Sequence, residues 1–278
     1  MIIWLASYPK SGNTLLRSIL GTYFFSTDGF FDFKYTYLIP QFPKTEFFSK
    51  AGIDVLNDEL ILKNYIKAQE TINSENKKIK FLKTHSKFFY SNGYHFTNWQ
   101  NSLCGIYIVR DPRNVVKSYA HHSQLTIEET LEAMINIKQT LFKTKENCET
   151  ILGSWNSNYN SWKTLGKKVL IVKYEDLVLK KKTTLLKIFR FLENFGFNIL
   201  NLNMQKLNKS IKTTNFENMQ KLEKKKTFKE SMLDPKTGEK IPFFNLGIKN
   251  DWRFDLDDRI RTKIENVFRK EMEELGYL

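Results

Sequence analysis

Five consecutive residues near the start of the chain, Lys10-Ser11-Gly12-Asn13-Thr14, are of the types an anion site needs. An apolar run stops at Tyr8-Pro9 just before them, and a helical pattern resumes at Leu15. A helix N-terminus offers unpaired backbone N–H groups and a partial positive charge, so it suits an anion. Gly12 lets the backbone come close to a ligand with no Cβ in the way. Asn13 and Thr14 can add side-chain donors, and Lys10 adds a mobile point charge. The loop of the nucleoside-triphosphate enzymes needs a glycine five residues before its Gly-Lys, and this turn has none. The anion is therefore not expected to be a triphosphate.

Three more polar clusters stand in equivalent places. They are Lys83-Thr84-His85, Arg110-Asp111-Pro112-Arg113 and Tyr174-Glu175-Asp176. Each follows a short apolar run, as the first turn does. The runs are residues 2–6, 79–83, 105–109 and 168–173. The first and third are apolar almost throughout, as expected of central strands in a parallel sheet covered on both faces. Helical periodicity lies between them, over 15–25, 114–122 and 127–148. The last of these opens with Thr126 and Glu129, a capping-box spacing. Strand–helix alternation of this kind predicts an α/β fold with a parallel sheet. In open parallel sheets ligands bind at the carboxyl ends of the strands, so the four clusters are expected to converge on one crevice. Residues 221–240 show no apolar period and read as a surface loop, with a turn at 234–238. A final helix is expected over 257–275, and the whole of 1–278 reads as one domain.

The first turn, YPKSGNT, resembles the 5′-phosphosulfate loop of the sulfotransferases that use 3′-phosphoadenosine 5′-phosphosulfate (PAPS). Five other segments resemble that family in the same order along the chain. VRDPRNVVKSY is similar to its 3′-phosphate segment, with Arg110 ending a strand and Ser118 eight residues on. KTH at 83–85 resembles the triplet carrying the catalytic histidine. KYEDL at Tyr174 and the stretch Thr214-Asn215-Phe216 with Met219 resemble the segments that line adenine. GIKNDWR, from Gly247 to Arg253, resembles the C-terminal GxxGDWK. The resemblance implies a P-loop-like central parallel β-sheet flanked by helices on both faces. It also implies transfer of a sulfuryl group from PAPS to an acceptor hydroxyl or amine, with PAP as product and no metal.

On that resemblance Lys10 would neutralise charge developing on the bridging oxygen, and Ser11, Gly12, Asn13 and Thr14 would hold the 5′-phosphate. His85 would be the general base, because a neutral imidazole is available near pH 7. Arg110 and Ser118 would take the 3′-phosphate. Tyr174 and Phe216 would face adenine, with Thr214 and Gly247 beside the same ligand. Two positions depart from the family's pattern. Leu15 stands where a Trp usually stacks on adenine, and Asn245-Leu246 stand where many members carry Arg-Lys before the glycine. Lys249, Arg113 or the lysines at 224–226 are the candidates to substitute for the missing cations.

Composition narrows the remaining classes. The chain has 278 residues, 41% hydrophobic and 14% aromatic, enough to bury a core. Its net charge of +14 comes mostly from lysines spread among acidic residues. That pattern reads as a solvated basic surface or an anion-binding cleft, not a nucleic-acid stripe. The cysteines, Cys104 and Cys148, are far apart and have no metal-ligand spacing. The opening apolar run is too short for a signal peptide and no run is of membrane-spanning length, which predicts a cytoplasmic protein. The expected partner is a small-molecule or glycan acceptor, with neither nucleic acid nor membrane, and a homodimer is left open. The aromatic-rich stretch 23–48 is expected either to wall the acceptor pocket or to pack on the sheet. A cofactor-binding homologue without turnover, a P-loop-type nucleotide kinase and a polyanion-binding module are the alternatives.

Overall fold

The computed structural model describes residues 1–75, 79–91, 93–225, 228–234 and 237–278. The chain forms two compact units, each assembled from three separate stretches.

The first unit comprises Met1–Tyr8, Ile39–Val109 and Ile137–Asn201. It holds a four-stranded sheet built from β1 (Ile2–Ser7), β2 (Lys80–Thr84), β3 (Ser102–Val109) and β4 (Val169–Lys173). The order is β2-β1-β3-β4 and every pairing is parallel. The two central strands are the two continuous apolar runs. All six residues of β1 are buried, and seven of the eight in β3. The outer strands carry the lysines Lys80, Lys83 and Lys173, the usual way of discouraging edge pairing. Parallel neighbours need long crossovers. Helices Trp155–Lys163, Tyr174–Leu179 and Lys181–Glu193 lie against β3 and β4. The α/β expectation, a central parallel sheet flanked by helices, is met. An aromatic core joins Trp4, Phe42, Phe48, Tyr65 and Phe96, with the Trp4 and Phe96 rings 4.8 Å apart.

The second unit comprises Pro9–Leu38, Arg110–Asn136 and Leu202–Leu278 and is helical. Its principal helices are Asn13–Phe25, Pro112–Ser123, Met204–Thr213, Phe216–Lys225 and Asp258–Val267. A core of Phe33, Met219, Phe228 and Phe244 is bordered by Leu15, Phe216 and Phe243.

Three sequence expectations change. The helix expected over 127–148 is Ile127–Ile135, opened by the capping box of Thr126 and Glu129. It stops because Asn136 turns to φ −68°, ψ 112°, and Thr140–Leu141 then pairs antiparallel with Thr150–Ile151. Phe142 is 85% exposed, so the apolar residues beyond 135 share no buried face. The final helix breaks at the fully buried Phe268 into Asp258–Val267 and Arg269–Glu274. Residues 221–225, read as loop, are the last turn of the Phe216–Lys225 helix, whose apolar period (Phe216, Met219, Leu222) begins before Lys221. The turn near Asp234 is present, with Gly238 N–H donating to Asp234 O at 2.8 Å; Pro235 and Lys236 lie outside the described residues. The aromatics of 23–48 pack in part on the sheet, as one alternative had it, with Phe42 against Trp4 of β1. Phe33 belongs to the second unit's core, Phe42 and Phe48 to the first unit's, and Phe25 and Phe30 are exposed.

Candidate active site

In the second unit the phosphate-loop residues form a tight, left-handed turn. Lys10 has φ 60° and Gly12 has φ 101°, a region that an L side chain such as Lys10 enters only at a cost. The Asn13–Phe25 helix that follows has no side-chain cap and no acidic residue in its first turn. Its N-terminus is therefore positive and uncompensated from within. Ser11 is fully buried, and its Oγ has no hydrogen-bond partner among the described residues. A hydroxyl left so in a dry turn costs about 1–3 kcal/mol unless a ligand takes it up. An uncapped helix start, two left-handed residues and an unsatisfied hydroxyl fit a phosphoryl or sulfuryl oxygen.

The turn is braced from a distance in sequence. Arg110, which follows β3, is buried and donates through Nη1 to Lys10 O at 3.0 Å. Lys10 Nζ lies 3.7 Å from the centroid of the Phe243 ring. Thr14 Oγ1 donates to Glu230 Oε2 at 3.2 Å, and the other Glu230 oxygen is 2.5 Å from Arg17 Nη1. Arg17 is itself buried and also donates to Thr36 O. Neither Arg17 nor Glu230 was anticipated. A charged residue one turn into a buried helix was a signal for Arg17. Nothing local marked Glu230.

Ser118 sits half-buried in the Pro112–Ser123 helix, two turns beyond its start. That helix begins with Asp111 as N-cap and Pro112 in the first position. Arg113, one of the candidate substitutes, is engaged within the protein. It is buried, bonded to Asp111 and Glu265 at 2.7 Å each, to Tyr277 O at 2.8 Å, and stacked 3.9 Å above the Trp252 ring. Burial works against its charge, but the two carboxylates outweigh that and raise its pKa. Lys249, Lys224 and Lys225 are exposed, and Lys226 lies outside the described residues. The GIKNDWR segment docks on the same helix start, through Asn250 Nδ2 to Asn114 O and Trp252 N–H to Asn114 Oδ1, both 2.9 Å.

Gly247 and Phe216 meet. Gly247 has φ +56°, and a Cβ there would lie 2.8 Å from the Phe216 ring. Thr214 is buried, and its hydroxyl donates to Ser210 O at 2.6 Å, closing the preceding helix. Leu15, at the position of the absent Trp, packs against the Phe33–Met219–Phe228–Phe244 core.

The first unit carries His85 and Tyr174. The pairing of β1 with β2 sets Thr84 beside Ala6, which brings His85 to the end of β1. His85 Nδ1 lies 2.8 Å from Ser7 O and 3.3 Å from Ser7 Oγ. A carbonyl can only accept, so Nδ1 carries a proton, and in the neutral imidazole Nε2 is then the acceptor. Tyr174 opens the Tyr174–Leu179 helix, half-buried, with Glu175 and Asp176 in the favourable first turn. Lys83 is buried, and its backbone pairs with Pro40 and Phe42.

Residues 2–276 match the sulfotransferase domain family. Rat sulfotransferase 1E1 is 24% identical over 275 residues, which is 96% of this chain and 82% of that protein. Dog sulfotransferase 1B1 is 28% identical over 184 residues, and the match spans 63% of this chain but only 56% of that protein. Among solved structures, mouse sulfotransferase SULT7A1 complexed with PAP superimposes with a TM-score of 0.60 at 21% identity, covering 98% of this chain and 84% of that one. Retinol dehydratase in a complex with retinol and PAP gives 0.57 at 18% identity, covering 98% and 81%. The match over residues 2–276 establishes that the chain belongs to the sulfotransferase family.

Proposed function

We propose that this chain is a PAPS-dependent sulfotransferase, moving a sulfuryl group to a hydroxyl or amine of a small-molecule or glycan acceptor. The observation that carries this reading is the Lys10–Thr14 turn, with its buried, unsatisfied Ser11 hydroxyl and its uncapped helix behind. PAPS supplies the sulfuryl group. Ser11, Asn13, Thr14 and the helix N-terminus hold the 5′-phosphate, and Lys10 takes up charge on the bridging oxygen. Arg110 and Ser118 hold the 3′-phosphate, while Tyr174, Thr214, Phe216 and Gly247 line adenine. His85, with Nδ1 already bonded to Ser7 O, accepts the acceptor's proton at Nε2. As that proton leaves, the acceptor oxygen or nitrogen bonds to sulfur, and the S–O bond to the 5′-phosphate breaks with its electron pair on the phosphate oxygen. The single family match over 2–276 supports treating both units as one functional domain. The free, buried Cys104 and Cys148 accord with a cytoplasmic setting.

Labelled-sulfate transfer from PAPS to a library of hydroxyl and amine acceptors tests the reading. His85→Ala and Lys10→Ala are each expected to fold and to lose about a hundredfold or more in turnover. PAP binding by calorimetry should survive in His85→Ala. Wild-type PAP binding with transfer to no acceptor would point to a homologue without turnover. Absence of PAP binding would overturn the assignment.

A further inference from the structure

A buried polar chain in the first unit ends on both sides of His85. The peptide joining Ser7 to Tyr8 presents two polar groups. Its carbonyl takes the bond from His85 Nδ1 at 2.8 Å, and its N–H, on Tyr8, favours the ionised Tyr107 phenol and so partly opposes the effect of burial there. The same phenol donates to Asn158 Oδ1 at 2.9 Å. Asn158 then donates through Nδ2 to the carbonyl of His85 at 3.0 Å and to Leu152 O at 2.8 Å. One tyrosine and one asparagine thus tie together the acceptor of the imidazole proton and the backbone from which the imidazole hangs.

The chain is dry and held from both ends. Tyr107 and Asn158 are essentially inaccessible to solvent. Burial raises the Tyr107 phenol, which keeps it a donor at every working pH. Two carbonyls on Nδ2 and a hydroxyl on Oδ1 leave the amide a single satisfied orientation. The Trp155–Lys163 helix fixes the register as well. Asn158, Ser161 and Trp162 share one face, and the other two grip the next residues of the His85 segment. Trp162 Nε1 donates to Ser86 O at 2.9 Å, and Phe88 N–H donates to Ser161 Oγ at 2.9 Å. Gly105 on β3 seats that helix, since a Cβ there would meet the Trp162 ring at 3.0 Å.

We propose that Tyr107 and Asn158 are positioning residues for His85, orienting the Ser7–Tyr8 peptide and the His85 backbone so that Nδ1 keeps its proton and Nε2 stays the acceptor. This rests on the reading of His85 as the general base. Neither residue touches the reacting atoms in this assignment; both act through backbone groups.

The test compares wild type with Tyr107→Phe and Asn158→Leu, each with PAP bound, by long-range proton–nitrogen spectra of the His85 imidazole. Wild type should show one tautomer, protonated at Nδ1. Both variants should show the two tautomers in exchange and a displaced acid limb in the pH–rate profile. Turnover on an acceptor found by the library screen should fall about tenfold. PAP affinity and acceptor KM should stay within about twofold of wild type, since neither residue is assigned to binding. If Asn158→Leu does not fold, Tyr107→Phe, which removes one oxygen, decides the question. A folded variant with an unchanged His85 spectrum and pH profile would overturn the proposal, as would a loss seen equally in PAP affinity. Full activity in His85→Ala would remove the general-base reading instead, and the spectra would still report whether the tautomer depends on Tyr107.

Discussion

Taking away the Arg113 guanidinium leaves Asp111 and Glu265 facing each other without the cation they share. Breaking a buried pair this way costs about 3–5 kcal/mol. Arg113→Met is therefore expected to lower the urea-unfolding free energy by about 3 kcal/mol, the low end of that range because Glu265 is partly exposed. An unchanged midpoint would mean that the network contributes nothing. Gly247 is sensitive for a different reason. An alanine there combines a left-handed backbone with a Cβ 2.8 Å from the Phe216 ring. Gly247→Ala should destabilise by about 1–3 kcal/mol and push the ring aside. If Phe216 faces adenine, PAP affinity measured by calorimetry should fall about tenfold; unchanged affinity would remove Phe216 from the adenine site.

Among the elements, the segment carrying Glu230 bears directly on the Lys10–Thr14 turn. Its carboxylate takes the Thr14 hydroxyl and the Arg17 guanidinium, both at the start of the Asn13–Phe25 helix. A fixed negative charge beside an anion site opposes an incoming phosphate. Glu230→Gln should therefore tighten PAP binding by about threefold or more, with the gap from wild type shrinking at high salt. Weaker binding would show instead that Glu230 holds Arg17 and the loop in their ligand-competent form. This segment was read as loop because its apolar residues follow no period. Its contacts, Phe228 in the core and Glu230 on Thr14 and Arg17, are made one at a time across large sequence separations. By contrast the Ile127–Ile135 helix was legible at its start, where the capping box is local. It was illegible at its end, where Thr140–Leu141 pairs with a strand nine residues away.

At the scale of the molecule, buried acids predict the alkaline limit of stability. Burial pushes the Cys104 thiol up to about 12 and the Cys148 thiol up to about 11, each from an ordinary 9.0. It pushes the Tyr119 phenol up to about 12 as well, from 10.0. Each group holds its proton more tightly folded than unfolded. The unfolded chain thus ionises first, and stability falls as pH rises through the unfolded values toward the folded ones. The melting temperature should be flat below about pH 8.5 and decline from about pH 9 upward. Thiol reagents should leave both cysteines unmodified near pH 8 unless the protein is unfolded. A flat melting curve to pH 11 would contradict all three shifts.

The strands, the family and the residues of the phosphate loop were written in contiguous sequence. Their signals are short-range: apolar runs for buried parallel strands, a glycine where the backbone must turn left-handed, and motif spacings within a dozen residues. The tertiary structure alone decided what those residues are bonded to. It placed Arg113 in an internal ion-pair network, Glu230 on Thr14, and Leu15 against a phenylalanine core. It also set the Tyr107–Asn158 chain behind His85. The Tyr107–Asn158, Asn158–His85, Arg113–Glu265 and Thr14–Glu230 pairings join residues from 51 to 216 positions apart. No local pattern encodes them, because a hydrogen bond or an ion pair depends on which surfaces burial brings together and not on nearness in sequence.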